Sequence, residues 1–489
     1  MLSRFSELLY YYLAREVATM RYYVRLLGVV VAALVLLGPL TAQTQQPIRI
    51  GVVTGLEIAN GRDTLRGAQL AVEEINAAGG VMGRKIELVV GDIKTEGDGE
   101  LARRVYQDIA SKVDAIVGFF RSEAVLGILP DIPRMKKPLL ITGATSLATD
   151  RIPTDYANYK YVFRPMLNTF SLVGDTLRFA GDYLYGLVER GILPNRKIFL
   201  VGEDLSSANL YMALLGPRLG DLGFDVVNAK RLAVGTKDLT PLMTELKSSG
   251  ASIVITFFSD PGLAAVFTKT WAETKTKVAV FGINVLLQDD VSVRELKGAG
   301  TGYVIADFSA DAPVTPKTKA YFAAFQKKYG VRPIYTAGIT YDAIYILAEA
   351  IKKTGGKTDA DSLVQALESF DKYDNAYIGA GGPYWFYPVA GFNRTEPITL
   401  KTEAGELKFA NCLSAGITEL CFKNPHDVGW GFSRLKDKPT IFDGLRAVWT
   451  QIGPLAADGT FDRQLLYPGE FSAKPEDPLS IYQLPPHMR

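Results

Sequence analysis

The hydrophobic pattern changes its period twice within residues 48–92. Ile48, Ile50, Val52 and Val53 make a short apolar run of the kind a buried strand needs. Leu65, Ala68, Val72 and Ile75 then recur at the three- and four-residue spacing that puts one apolar stripe on a helix. Asp63 or Thr64 is placed to cap that helix after a loop at 54–61. Gly79 and Gly80 end it, because glycine takes the left-handed C-terminal conformation without a Cβ clash. Residues 86–90 form the next strand. Such a unit runs as a right-handed crossover between parallel strands, which predicts a doubly wound α/β layer.

The same alternation continues down the chain. Strands at 114–117 and 138–142 with helices at 100–112 and near 123–135 complete a first lobe. A helix at 170–190 opens a second lobe, with strands at 197–201, 224–228, 252–257 and 278–282 and helices at 207–222, 239–249 and 262–274. A strand at 303–307 is expected to return the chain to the first lobe, with helices at 316–329 and 336–354. After Gly379 the pattern gives way to short strands, aromatics and prolines. Tyr384, Trp385, Phe386 and Tyr387 there are read as packing, with a partner surface as the alternative.

Composition narrows the function. The net charge of +2 over 489 residues leaves no basic excess for nucleic acid. The two histidines, His426 and His487, are isolated, which argues against a metal cluster and a Ser-His-Asp triad. No GxSxG is present, nor a GxGxxG after a strand, so neither enzyme class nor any cofactor is indicated. The apolar run at 24–42 is the one membrane-competent segment. Read from Met20, it has a basic start, an apolar core and Ala42 at a cleavage point, as in a signal peptide; an uncleaved anchor is the other reading. Either way the bulk of the chain is expected to be exported. In an oxidising compartment Cys412 and Cys421 are expected to pair, with a reduced buried pair as the alternative.

Several longer words occur in a fixed order between residues 48 and 355: GAQLAVEEINAAGGVMGRKIELVVGD, VDAIVGF, PLLITGATS, YVFRP, KIFLVGEDLSSANLYMALLGPRLGDLGFDVV and TYDAIYILAEAIKKTGG. In these the chain resembles the branched-chain amino-acid binding proteins of ABC importers, the type I periplasmic binding proteins. The resemblance implies two doubly wound lobes joined by hinge strands near 163–165 and 304–308, closing like a Venus flytrap on a small ligand. It divides the chain into an N-terminal extension and signal peptide or anchor (1–46), lobe 1 (47–164), lobe 2 (165–302), a return to lobe 1 (303–372), and a return to lobe 2 with a C-terminal extension (373–489). The third crossing is expected near 373–378. The implied partners are an amino acid or organic carboxylate and an importer permease, for a monomeric protein. Members also bind aromatic acids and small amides.

In doubly wound sheets ligands bind beyond the C-terminal ends of the strands, which selects six loops: 54–61, 118–123 and 143–146 in lobe 1, and 202–207, 258–261 and 282–286 in lobe 2. Ser122 and the turn Gly143, Ala144, Thr145 look like the family's carboxylate-binding elements. Hydroxyls and free N–H groups at helix starts suit an anion, although Ser122 and Thr145 also read as plain N-caps. Ser207 and Ser259 stand where the family places tyrosines, and Asn284 where it places the acid that holds an ammonium group. That last departure puts an α-amino acid ligand in doubt. Asp204, Asp260 and Glu203 lie nearby as substitutes or as solvated acids. Phe119, Phe120, Phe257 and Phe258 sit at strand ends, so one of each pair can face the crevice; Phe120 and Phe258 are the candidates for a flat apolar ligand. The expected function is a solute-binding protein of an ABC importer, and the alternative is a membrane-tethered sensor of the same fold.

Overall fold

The computed structural model describes residues 11–27, 46–143, 146–372, 375–415 and 418–489. Two units are separated by their contacts, 1–47 and 48–489. In the first, residues 11–27 are helical and exposed. Most of the apolar run at 24–42, with the cleavage point at Ala42, lies outside the described residues. Among those described, no helix is long and apolar enough to cross a membrane.

The second unit opens with β1 (Ile48–Thr54), β2 (Ile86–Asp92), β3 (Ala115–Gly118), β4 (Leu139–Ile141) and β5 (Val162–Phe163), all parallel, in the order β2-β1-β3-β4-β5. The helix after β1 spans Ala59–Ala77, so neither Asp63 nor Thr64 caps it. It starts earlier because its first turn is pressed onto the preceding loop: a Cβ at Gly61 would lie 1.9 Å from the Gly55 carbonyl oxygen. Asp63 instead accepts the Ile334 N–H at 3.0 Å and pairs with Arg66.

The second sheet contains β6 (Lys197–Glu203), β7 (Asp225–Leu232), β8 (Ile253–Phe258), β9 (Ala279–Asn284) and β10 (Val304–Asp307), in the order β7-β6-β8-β9-β10. The strand at 303–307 therefore does not join the first sheet as expected from the sequence. Val304 and Ile305 run parallel to Phe281 and Gly282 of β9, and all four residues of β10 are buried, which suits an interior strand of the second sheet. The chain returns to the first lobe only afterwards, through the helices Thr318–Tyr329 and Tyr335–Lys353. The latter packs on Ala59–Ala77 so closely that a Cβ at Gly67 would fall 2.1 Å from the Ala337 carbonyl oxygen.

The C-terminal region adds β11 (Tyr377–Ile378), β12 (Pro383–Tyr384), β13 (Pro397–Thr402), β14 (Gly405–Ala410), β15 (Cys412–Ala415), β16 (Thr418–Cys421), β17 (Arg434–Leu435), β18 (Lys438–Phe442), β19 (Val448–Ile452) and β20 (Arg463–Tyr467). The first eight pair as four antiparallel ribbons, with Cys412 and Cys421 opposite each other across β15 and β16 and joined by a disulfide. β19 and β20 extend the second sheet beyond β10, both antiparallel to their neighbours. Tyr384, Trp385 and Phe386 are buried. Residues 373 and 374, at the expected third crossing, lie outside the described residues.

Where β5 leaves the first sheet, the C-terminal region grips it. The Arg164 N–H donates to the His426 carbonyl at 2.9 Å, and the Val428 N–H to the Arg164 carbonyl at 2.9 Å. The fully buried Arg164 guanidinium pairs with Asp427 at 3.2 Å, Asn168 donates to Asp427 at 2.7 Å, and Asn424 donates to Asp150. Burial pushes Arg164 down and the carboxyls of Asp150 and Asp427 up.

Asp342, buried on helix Tyr335–Lys353, accepts the N–H groups of Ala380 and Gly381 at 2.8 Å each. Burial raises its carboxyl from 3.8 to about 6. Between those two values the folded chain keeps a proton that the unfolded chain has lost, so this group lowers stability as pH rises through that window. The cost of Asp342→Asn in urea unfolding is expected to shrink by about 1–3 kcal/mol between roughly pH 4 and pH 7. A cost that stays level over that range contradicts the assignment.

Candidate functional site

Each sheet has one place where the strand order reverses, between β1 and β3 in the first and between β6 and β8 in the second. At such switch points neighbouring loops diverge and leave a crevice. In the first lobe Gly118 and Phe119, at φ 131° and 59°, swing the chain sharply out of β3. The buried Glu96 carboxylate holds the resulting loops, accepting the N–H of Gly55 and of Arg121 at 2.9 Å each and the Thr54 hydroxyl at 3.0 Å. In the second lobe Glu203, at the end of β6, plays the same part. It accepts the N–H of Ser259 at 2.9 Å, the N–H of Asp260 at 2.7 Å and the Ser259 hydroxyl. Burial raises both carboxyls above the ordinary range, while these donors work in the opposite direction.

The two switch points face each other across one cavity of about 40 Å³. Its walls are mostly apolar: Phe120, Met166, Leu172, Leu205, Phe257, Ile283, Val285, Phe308 and Tyr335. The polar lining is Arg121, Ser122 and Glu123 from the first lobe with Glu203, Ser207 and Ser259 from the second. Three polar contacts join the lobes here. Ser122 Oγ lies 2.6 Å from Ser207 Oγ, Arg121 Nη2 donates to Asp260 Oδ2 at 3.0 Å, and the Ser206 N–H donates to Glu123 at 3.2 Å. A cavity of roughly 150 Å³ holds a benzene-sized body, so admitting even a small organic ligand requires these contacts to part.

Of the residues singled out in the sequence, the structure brings Ser122, Phe120, Ser207 and Ser259 to this cavity. Gly143 does not line it; a Cβ there would lie 1.9 Å from the Phe120 carbonyl oxygen, so the glycine lets two loops touch. Ala144 and Thr145 lie outside the described residues. Phe258 and Asn284 are corrections. Phe258 is fully buried against Phe267, and the Asn284 side chain accepts the Leu287 N–H at 3.3 Å. Pleat parity is the physical reason for both: Phe258 pairs with Asn284 and Phe257 with Ile283, so each pair shares a face, and the cavity takes the second pair. The uncharged Asn284 therefore carries no information about an ammonium group. Sequence reasoning also missed Arg121 and Tyr335, one inside a selected loop and the other opening a helix.

Two facing switch points, with a mostly apolar cavity between them, define a two-lobed α/β ligand-binding protein. The model of the periplasmic binding protein family matches residues 47–393, and the chain belongs to that family, among the type I binding proteins of branched-chain amino-acid ABC transporters. Its members are substrate-binding proteins of transporters and not enzymes. The chain is 26% identical over 325 residues to Leu/Ile/Val-binding protein homolog 7 of Brucella abortus, covering 64% of this chain and 77% of that one. Its fold is similar to a solute-binding protein of an ABC transporter from Rhodopseudomonas palustris in complex with 3,4-dihydroxybenzoic acid, with a TM-score of 0.62, 20% identity, and coverage of 87% of this chain and 99% of the other. It is also similar to the branched-chain amino-acid transporter substrate-binding protein of Streptococcus pneumoniae in complex with isoleucine, with a TM-score of 0.59, 20% identity, and coverage of 74% and 99%. Residues after 393, including β13 to β20, lie beyond the family match.

Proposed function

We propose that the chain is exported and delivers a small carboxylate, an amino acid or an aromatic or branched acid, to an ABC importer permease, acting as a monomer. The observation that carries this reading is the cavity between the two switch points, with Ser122 and Ser207 in contact across it. An apolar wall with a few convergent polar groups is what a small organic ligand needs. Phe120, Phe257 and Tyr335 offer flat surfaces for an aromatic or branched body, and Ser122, Ser207 and Ser259 supply hydrogen bonds at its polar end. Glu203 is engaged by N–H groups of its own lobe, so its charge is met without a ligand ammonium. Relatives in complex with isoleucine and with a dihydroxybenzoic acid fit the same range.

A thermal-shift series tests this reading, because a ligand that binds only the folded chain stabilises it by about 2.7 kcal/mol at a hundredfold excess over Kd. The series contains leucine, isoleucine, valine, benzoate and 3,4-dihydroxybenzoate. At least one is expected to raise the melting temperature. No shift with any of them contradicts the proposed ligand class.

A further inference from the structure

Arg121 carries a second reading of the same cavity, one that rests on the function just proposed. Its side chain is 8% exposed and lines the cavity, yet its guanidinium makes one end-on contact, from Nη2 to Asp260 Oδ2 at 3.0 Å. Its Nε is buried without a hydrogen-bond partner. A buried donor left unmade is costly, and a guanidinium offered a free carboxylate prefers to bind it through two parallel N–H bonds. The other polar groups of the wall are already engaged: Ser122 with Ser207, Glu203 with Ser259 and Asp260, Glu123 with Ser206.

We infer that Arg121 is the receptor for the ligand carboxylate, and that Asp260 holds the guanidinium until the ligand replaces it. The ligand takes both Nε and Nη2, where Asp260 takes only Nη2. Asp260 can give up this contact at little cost. Its other oxygen accepts the Leu263 N–H at 2.9 Å, capping the helix Pro261–Glu273, whose N-terminal dipole favours the charge. The exchange has a thermodynamic sign. A contact present only before the ligand arrives opposes binding, so removing it strengthens binding. A contact that closes over a bound ligand favours binding, so removing it weakens binding.

The test uses calorimetric titration of the full chain with benzoate and isoleucine and with their amides, benzamide and isoleucinamide. In Arg121→Gln, the affinity for whichever acid the wild type binds is expected to fall about 10- to 100-fold, while that for the matched amide changes by less than about threefold. Unchanged amide binding also shows that the variant is folded. In Asp260→Asn, which keeps a good cap, the acid is expected to bind about threefold or more tightly. Unchanged acid binding in Arg121→Gln overturns the inference and leaves the cleft reading intact. Unchanged or weaker acid binding in Asp260→Asn overturns it too, because the ion pair does not then yield to the ligand. If the wild type binds neither of these two, the titration is run with the acid of the thermal-shift series that does bind and with its amide; if none of the five binds, the proposed ligand class fails, and the inference with it.

Discussion

Arg164→Met is expected to lower the unfolding free energy by about 3–5 kcal/mol at neutral pH, measured by urea denaturation. Methionine fills much of the same space, so the effect isolates the charge. Without the guanidinium, the carboxyls of Asp427 and Asp150 stay buried without its charge beside them; Asn168 and Thr149 still bond Asp427, and Asn424 still donates to Asp150. Breaking a buried pair on one side costs far more than the intact pair contributes. The same hub joins β5 to the segment around His426 and Val428, so the loss should loosen the C-terminal region from the crossing strand. A change below about 1 kcal/mol would mean that water reaches these acids and the hub is not a dry core.

Ser207→Trp is expected to weaken ligand binding by about 100-fold or more while leaving the melting temperature of the unliganded chain nearly unchanged. Ser207 is only half-buried, so an indole there can swing toward solvent when the lobes part. It cannot do so when they close, because its Oγ position lies 2.6 Å from Ser122 across a cavity of about 40 Å³. Calorimetric titration checks the affinity and thermal unfolding the stability. Wild-type affinity in this variant would move the ligand away from the cavity.

The alternation of strands and helices was legible in the sequence because each element buries a stripe or a run against a sheet. The strand at Ala279–Asn284 and the helices Thr240–Ser249 and Tyr335–Lys353 lie within two residues of where periodicity puts them. Loop entries were not legible in this way: the helix Ala59–Ala77 starts where Gly61 meets Gly55, a tertiary contact with no local signature. Membership of β10 in the second sheet was hidden for a related reason, since an apolar strand reads alike in either sheet. The site was half legible. Four of the six loops that the switch-point rule selects, 118–123, 202–207, 258–261 and 282–286, line the cavity and bring Ser122, Ser207 and Ser259 to it, but the pleat parity at the end of β8 and β9 is not legible among apolar neighbours, and neither Phe258 nor Asn284, the latter placed by the family resemblance, reaches it. Arg121 has no local signature, because a charged residue in a loop ordinarily faces water, whereas here its side chain is 8% exposed and paired with Asp260 of the second lobe.

In the proposed function a ligand enters by separation of the two switch points and is held between them, and a cross-lobe disulfide would prevent that. With Ser122→Cys and Ser207→Cys together, the new sulfurs replace hydroxyl oxygens now 2.6 Å apart, and oxidation should tie the lobes shut. Titration with the acid that the wild type binds is expected to show no binding to the oxidised double variant. Binding should return on reduction, and the wild type, carrying only its Cys412–Cys421 disulfide, should bind under both conditions. Wild-type affinity in the oxidised double variant would show that the ligand neither enters nor sits between Ser122 and Ser207.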